Sequence, residues 1–269
     1  MAGVTSTSPA ARPSLDAGAL REAVVVPGGF WRDIRVVAET GSTNADLLAE
    51  ARGGLGEGVV LAAETQTAGR GRMGRHWVSP PRAALAFSVL LRPEDVPPGS
   101  RGWVPLLAGV AVALALRGQA VDAWLKWPND VQVNGAKLAG ILAEQAGDAI
   151  VVGTGINVSA RRDELPAGAT SLGLEGARTD RDRLLAGVLG ELEHWYLAWA
   201  GQRGDADGSG LRQEYQRLCG TLGRPVRVSL PGGTTVTGVA CDVDRAGRLV
   251  VRSATELVPV SAGDVVHVR

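Results

Sequence analysis

Residues 59–92 read VVLAAETQTAGRGRMGRHWVSPPRAALAFSVLLR, and the fold turns on how this stretch is parsed. VVLAAETQ (59–66) and ALAFSVLLR (84–92) have the apolar, β-prone make-up of buried strands. Between them, Gly69-Arg70-Gly71-Arg72-Met73-Gly74 spells G-x-G-x-x-G directly after a strand. A dinucleotide-binding turn with that spacing must open a helix whose N-terminus holds a pyrophosphate. Here the chain continues RHWVSPPRA, and Pro80 and Pro81 leave no room for a helix before the next strand. A nucleotide-binding α/β fold of that kind is therefore excluded, and 67–82 is a long loop between two strands. Glycines alternating with arginines let a backbone lie close to an anion while planar guanidinium forks turn toward it. A solvated arginine-rich surface loop is the competing reading, and Trp77 could equally be an anchor tucked onto the core.

On the N-terminal side, IRVVAE (34–39) predicts a strand and ADLLAEAR (45–52) a helix, entered through Ser42, Thr43 and Asn44 and stopped by Gly53 and Gly54. On the C-terminal side, the apolar stretch 103–116 is too short to span a bilayer and suits a buried helix. Lys126-Trp127-Pro128-Asn129-Asp130 places a turn just after a strand, and VQVNGAKLAGILAE (131–144) carries an Asn-Gly hairpin signal. A further strand (148–159) and two helices (180–201 and 211–219) follow. Beyond Gly220 the chain becomes a series of short Val-rich strands separated by PGG, RAG and SAG turns, which predicts a small closed β-barrel. The expected organisation is a disordered tail over 1–13, a mixed α+β domain over 14–218, and a barrel domain over 219–269.

Acidic and basic residues balance at 28 each, which argues against a partner bound mainly through phosphate neutralisation such as DNA. The N-terminus has no basic region followed by an apolar core, and the two cysteines form no CxxC pair. These features predict a cytoplasmic protein with no membrane span and no structural metal. Of the 28 basic residues only Lys126 and Lys137 are lysines, and both fall within a dozen residues of each other. In a chain that uses arginine almost everywhere, a lysine supplies a point charge on a flexible stem that a guanidinium cannot imitate. Lys137, between Gly135 and Gly140, is a candidate functional cation, whereas Lys126 could simply cap a strand edge.

Five segments in order, GSTN (41–44), ETQTAGRGRMGRHWVSP (64–80), LKWPNDV (125–131), KLAGILAE (137–144) and GINV (155–158), resemble the biotin protein ligases along residues 36–269. The resemblance implies an α+β fold: a mixed-sheet catalytic domain of the biotin/lipoate protein ligase type, like that of class II aminoacyl-tRNA synthetases, followed by a small SH3-like β-barrel. About forty residues precede the STN motif, so a monofunctional ligase without a helix-turn-helix domain is expected. The implied reaction uses biotin and Mg²⁺-ATP to make biotinyl-5′-AMP, then passes the biotinyl group to a lysine of a biotin carboxyl carrier domain. A monomer or a weak, ligand-dependent homodimer would serve.

Carried over motif by motif, the resemblance implies Lys137, Arg72 and Asp130 as catalytic residues. Ser42, Thr43, Asn44, Gln66, Gly69, Arg70, Gly71, Arg72, Lys137 and Gly140 would bind biotin. Arg72, Trp77 (packed on adenine), Asn129, Lys137, Asn157 and Arg269 would bind ATP. Asp130 would orient or deprotonate the acceptor amine, although an aspartate after a Pro-Asn turn also serves as a turn stabiliser. A related ligase for lipoate and a non-catalytic biotin sensor are the alternatives.

Overall fold

The computed structural model of the protein describes residues 12–268. Arg269 and most of the N-terminal tail expected over 1–13 lie outside the described residues. The expectation fails for the tail's last two positions. Arg12 pairs with Glu164, and the Pro13 carbonyl accepts from Arg181 at 2.6 Å.

The first twelve elements build one domain. In chain order they are α1 (Ala17–Val24), β1 (Asp33–Val37), α2 (Thr43–Arg52), β2 (Val59–Ala63), β3 (Ala84–Leu91), α3 (Val104–Arg117), β4 (Trp124–Lys126), β5 (Asp130–Val133), β6 (Ala136–Ala146), β7 (Ala149–Asn157), α4 (Arg181–Gly201) and α5 (Leu211–Leu218). The seven strands form one sheet in the order β1-β2-β3-β7-β6-β5-β4, parallel only between β1 and β2. The 67–82 segment is a loop as expected, with a single 3₁₀ turn at Arg72–Gly74.

Strand alternation sends successive side chains to opposite faces. One face carries Val60, Ala62, Leu85, Phe87, Val89, Val152 and Ile156, packed in a large core with α3 and α4. The apolar helix α3 lies inside this core, as its composition predicts. The other face is covered at one end by α2, where Leu47, Leu48 and Ala51 pack on Val59, Leu61, Leu90 and Val151. α2 starts there because Ser42, in extended conformation, accepts from the Ala45 N–H as N-cap. The other end of this face has only small side chains, and a cavity opens above it.

The Asn-Gly turn between β5 and β6 forms with Asn134 and Gly135 both at positive φ (51° and 77°), the geometry a two-residue hairpin requires. After α5 the chain builds β8 (Pro225–Ser229), β9 (Thr235–Val243), β10 (Leu249–Arg252), β11 (Leu257–Val260) and β12 (Asp264–His267). These five antiparallel strands run in the order β11-β10-β9-β8-β12. β11 and β12 stand at the two ends of this order, and a bulge between Val250 and Val251 curls the sheet.

This second sheet is bolted to the first domain by buried indoles. Trp103 donates through Nε1 to the Arg245 carbonyl at 2.8 Å, and Trp127 to the Gly247 carbonyl at 3.1 Å. The Trp127 backbone N–H donates to Thr221 Oγ1 at 3.1 Å. Trp103 is fully buried away from the cavity, so Trp103→Phe should lower the unfolding free energy by about 2 kcal/mol through the lost hydrogen bond and the void it leaves. Urea denaturation followed by far-UV dichroism checks this, and an unchanged midpoint would mean that the indole contributes nothing.

Candidate active site

The cavity is built from the register of the sheet. Residues directly opposite each other in a ladder share a face. Ala63, Ala86, Gly155, Gly140, Asp130 and Lys126 therefore form one row across β2, β3, β7, β6, β5 and β4. The adjacent row runs Leu61, Ser88, Gly153, Leu142. Glycines at 140, 153 and 155 make a trough where the middle of a sheet would otherwise carry side chains. A Cβ at Gly155 would come within 2.6 Å of Trp77 Cζ2, and one at Gly153 within 2.8 Å of Asn44 Cγ.

The resulting cavity, of about 300 Å³, opens beneath the glycine–arginine loop. One end of it is polar and tightly wired. Thr43 Oγ1 lies 2.7 Å from Ser88 Oγ, and Ser88 donates to Asn44 Oδ1 at 2.6 Å. Asn44 in turn donates to Glu144 Oε2 at 2.8 Å and to the Leu142 carbonyl at 3.1 Å. Gln66 accepts from the Thr43 backbone N–H at 2.9 Å. Thr43, Asn44 and Ser88 are all buried. Side chains linked in this way are held in one orientation.

The other end is cationic. Lys137 lies across Gly140, where a Cβ would meet its Nζ at 3.2 Å, and its ammonium pairs with Asp130 at 2.6 Å. Arg72 donates to Asn129 Oδ1 at 3.0 Å, and burial, with neighbouring Arg75, lowers the pKa of its guanidinium. Arginine remains charged at neutral pH all the same. Arg70 pairs with Glu144 at 3.4 Å, and Arg75 pairs with Asp264 of the second domain. The outer side of the loop bounds a second, larger compartment of about 700 Å³, which shares Arg70, Arg72 and Asn129 with the first.

Ser42, Thr43, Asn44, Gln66, Arg70, Gly71, Arg72, Trp77, Asn129, Asp130, Lys137 and Gly140 thus line one cavity. Among the described residues, two expected site residues do not join them. Gly69 shapes the loop, its carbonyl accepting from the Trp77 N–H at 2.9 Å. Asn157 lies on the same face, but it is buried and its amide donates to the Thr170 carbonyl at 3.0 Å. Arg269 lies outside the described residues. Trp77, expected on a nucleotide base, here lies over the glycine trough with its indole N–H buried and unpaired among the described residues. Asp130, expected near the acceptor amine, is the partner of Lys137.

Several residues of the site were not foreseen. Ser88, fully buried and hydrogen-bonded to Thr43 and Asn44, could have been, as the lone hydroxyl in the otherwise apolar ALAFSVLL. Asp264, Val265 and Val266 could not, because they come from the second domain and no motif marks them.

Two family models match the chain. The Biotin/lipoate A/B protein ligase family covers residues 41–159, and the Biotin protein ligase C terminal domain covers 221–268. A biotin–[acetyl-CoA-carboxylase] ligase of Mycobacterium tuberculosis is 46% identical over 96% of this chain and 97% of its own length. The chain belongs to the biotin protein ligase family. The bifunctional ligase/repressor BirA of Escherichia coli is 34% identical over 86% of this chain and 73% of its own. Among solved structures, the biotin protein ligase from Aquifex aeolicus in complex with biotin and ATP superposes with a TM-score of 0.73 at 27% identity, over 89% of this chain and all of that one. The two family models meet the two sheets described above, and the α+β fold with an SH3-like second domain is that of this family.

In this ligase, Ser88→Ala would strand Asn44 Oδ1 in a buried site and leave Thr43 Oγ1 with Gln66 Oε1 alone, at 3.2 Å. It should cost about 1–3 kcal/mol of stability, read from the shift in denaturation midpoint at constant slope. A shift below the error of the measurement would show that water replaces the hydroxyl.

Proposed function

We infer that the protein is an ATP-dependent ligase that activates biotin as biotinyl-5′-AMP and transfers the biotinyl group to a lysine of a biotin carboxyl carrier domain. The observation that carries this reading is the placement of Lys137 and Arg72 in the same cavity as a buried, pre-wired polar cluster. A wholly or partly apolar acid with a polar head needs one end for recognition and another for charge.

The first step joins two anions. A biotin carboxylate oxygen attacks the α-phosphorus of ATP, the bond from that phosphorus to the bridging oxygen breaks, and pyrophosphate leaves with the electron pair. Cations fixed in place before substrates arrive lower the barrier to such a step because they need no reorganisation. Lys137, held by Asp130, supplies a point charge to the carboxylate and the forming anhydride. Arg72, held by Asn129, spans carboxylate and phosphate. The Thr43–Asn44–Ser88–Gln66 cluster fits the ureido edge of biotin, since it offers both donors and acceptors. Gly155 and Gly140 leave space for the apolar bicycle beside Trp77. In the second step the acceptor amine attacks the anhydride carbonyl and AMP leaves. Asp130 in this scheme orients Lys137.

Mg²⁺ enters with ATP as part of the substrate. Among the described residues no group of three or more His, Cys, Asp or Glu side chains is placed to hold a metal ion. The acceptor is a biotin carboxyl carrier domain, in keeping with the Mycobacterium tuberculosis relative, a biotin–[acetyl-CoA-carboxylase] ligase.

Biotin-dependent ATP–pyrophosphate exchange tests the function directly. Exchange with biotin and none with lipoate is expected; exchange with lipoate alone would overturn the substrate assignment. Lys137→Arg should lose about ten-fold or more of the exchange rate although charge is retained, because a planar fork cannot occupy the position over Gly140. Near-normal exchange in that variant would remove Lys137 from the reaction.

A further inference from the structure

We propose that Lys126 binds the pyrophosphate half of the nucleoside triphosphate, and so acts in the formation of biotinyl-5′-AMP but not in the transfer of its biotinyl group. This rests on the ligase function inferred above and assigns a role to a residue that the sequence alone offers as a strand-edge cap.

Lys126 closes β4, and it lies in the cavity rather than on an outer edge. In the cross-strand row it stands opposite Asp130, which stands opposite Gly140, over which Lys137 lies. Adjacent strands are about 4.8 Å apart, so the Lys126 backbone is roughly 10 Å along the row from Gly140. Along the sheet the polar cluster over β7 comes first, Lys137 over β6 next and Lys126 on β4 last, so with the α-phosphate at Lys137 the rest of the triphosphate lies on the Lys126 side, within reach of its flexible stem.

Its charge is also available. Lys137, Arg70 and Arg75 each have a carboxylate partner, at Asp130, Glu144 and Asp264. Arg72 is engaged by Asn129. Among the described residues Lys126 has no carboxylate within ion-pair distance, although it stands opposite Asp130, whose charge is taken by Lys137. The other titratable side chain nearby, His267, contacts Thr221 Oγ1 at 3.3 Å. Burial and the charges of Lys126 and Arg224 push the His267 pKa down, which leaves that ring neutral at pH 7. Lys126 is thus a cation lining the cavity with no carboxylate partner among the described residues.

The chemistry needs a cation here. As the bond between the α-phosphorus and the bridging oxygen breaks, negative charge moves onto the departing pyrophosphate, and a positive group at that end stabilises the charge as it develops. Lysine is a common point-charge partner for phosphate. Once pyrophosphate has left, nothing at Lys126 takes part in the attack on the anhydride.

The two half-reactions separate this role from a structural one. In Lys126→Met, the KM for pyrophosphate and for ATP in biotin-dependent exchange should rise roughly ten- to hundred-fold, the loss of a charged hydrogen bond to a phosphate. Biotin affinity by calorimetry, and transfer from added biotinyl-5′-AMP to a carrier domain, should stay within about two-fold of the parent. Retained biotin affinity shows that the variant is folded. Lys126→Arg should recover a substantial part of the lost affinity for pyrophosphate. Unchanged KM values in Lys126→Met, or a loss of transfer from added adenylate as large as the loss of exchange, would overturn the proposal. Absence of biotin-dependent exchange in the parent protein would instead overturn the underlying function.

Discussion

Three glycines in the middle of an otherwise buried sheet, Gly140, Gly153 and Gly155, set the height of everything above them. Side chains there would intrude on Lys137, Asn44 and Trp77 respectively. Because the trough exists, the first turn of α2 can bring Asn44 down onto β7, the glycine–arginine loop can seat Trp77 on the sheet, and Lys137 can fold across its own strand. Glycine weakens a strand, since it contributes no packing and loses more backbone entropy on folding. The neighbouring positions compensate: the opposite face of β7 places Val152 and Ile156 in the main core. The site is therefore carved into one face of a sheet whose stability comes from the other.

The walls around the trough come from distant parts of the chain, and each is tied down independently. A buried ion pair at 2.6 Å joins Arg181, at the start of α4, to Glu64, just before the loop. Arg181 also donates to the Ala84 carbonyl, on the far side of the same loop. Both stalks of a glycine-rich segment are thus held by one guanidinium. On the opposite side, the second domain is fixed through Trp103 and Trp127, and it presents Gly263 and Asp264 to the loop arginines. The second domain is part of the site as well as a neighbour of it.

Local signals were sufficient for most of the elements. Alternation, the Asn-Gly pair and the cap at Ser42 each act within a few residues, and the corresponding strands, hairpin and helix form where they predict. The motifs carried the polar cluster and the cations to a common cavity for the same reason, because each sits at the end of a locally specified element. What could not be read depends on register and on contacts between domains. That Asp130 faces Gly140 and Lys126 follows from a ladder with a bulge between Val131 and Gln132, and no local pattern announces that shift. Asn157 shares the face of the trough, yet its amide is satisfied by Thr170, thirteen residues on, in a segment without regular structure.

The scarcity of lysine gains its meaning from this geometry. A guanidinium presents a rigid fork and suits places where two acceptors lie side by side, as Arg72 finds in Asn129 and the Gly263 carbonyl. Over Gly140 there is room for a narrow chain only, and the partner is a single carboxylate oxygen of Asp130. A compact ammonium satisfies that arrangement, and its three protons leave two free for a ligand. The pressure that replaced lysine by arginine elsewhere meets a steric limit at this floor. The same limit explains why the pairing of Lys137 with Asp130 is compatible with binding an anion: the carboxylate holds the stem in place, and the exposed side of the ammonium remains open to the cavity.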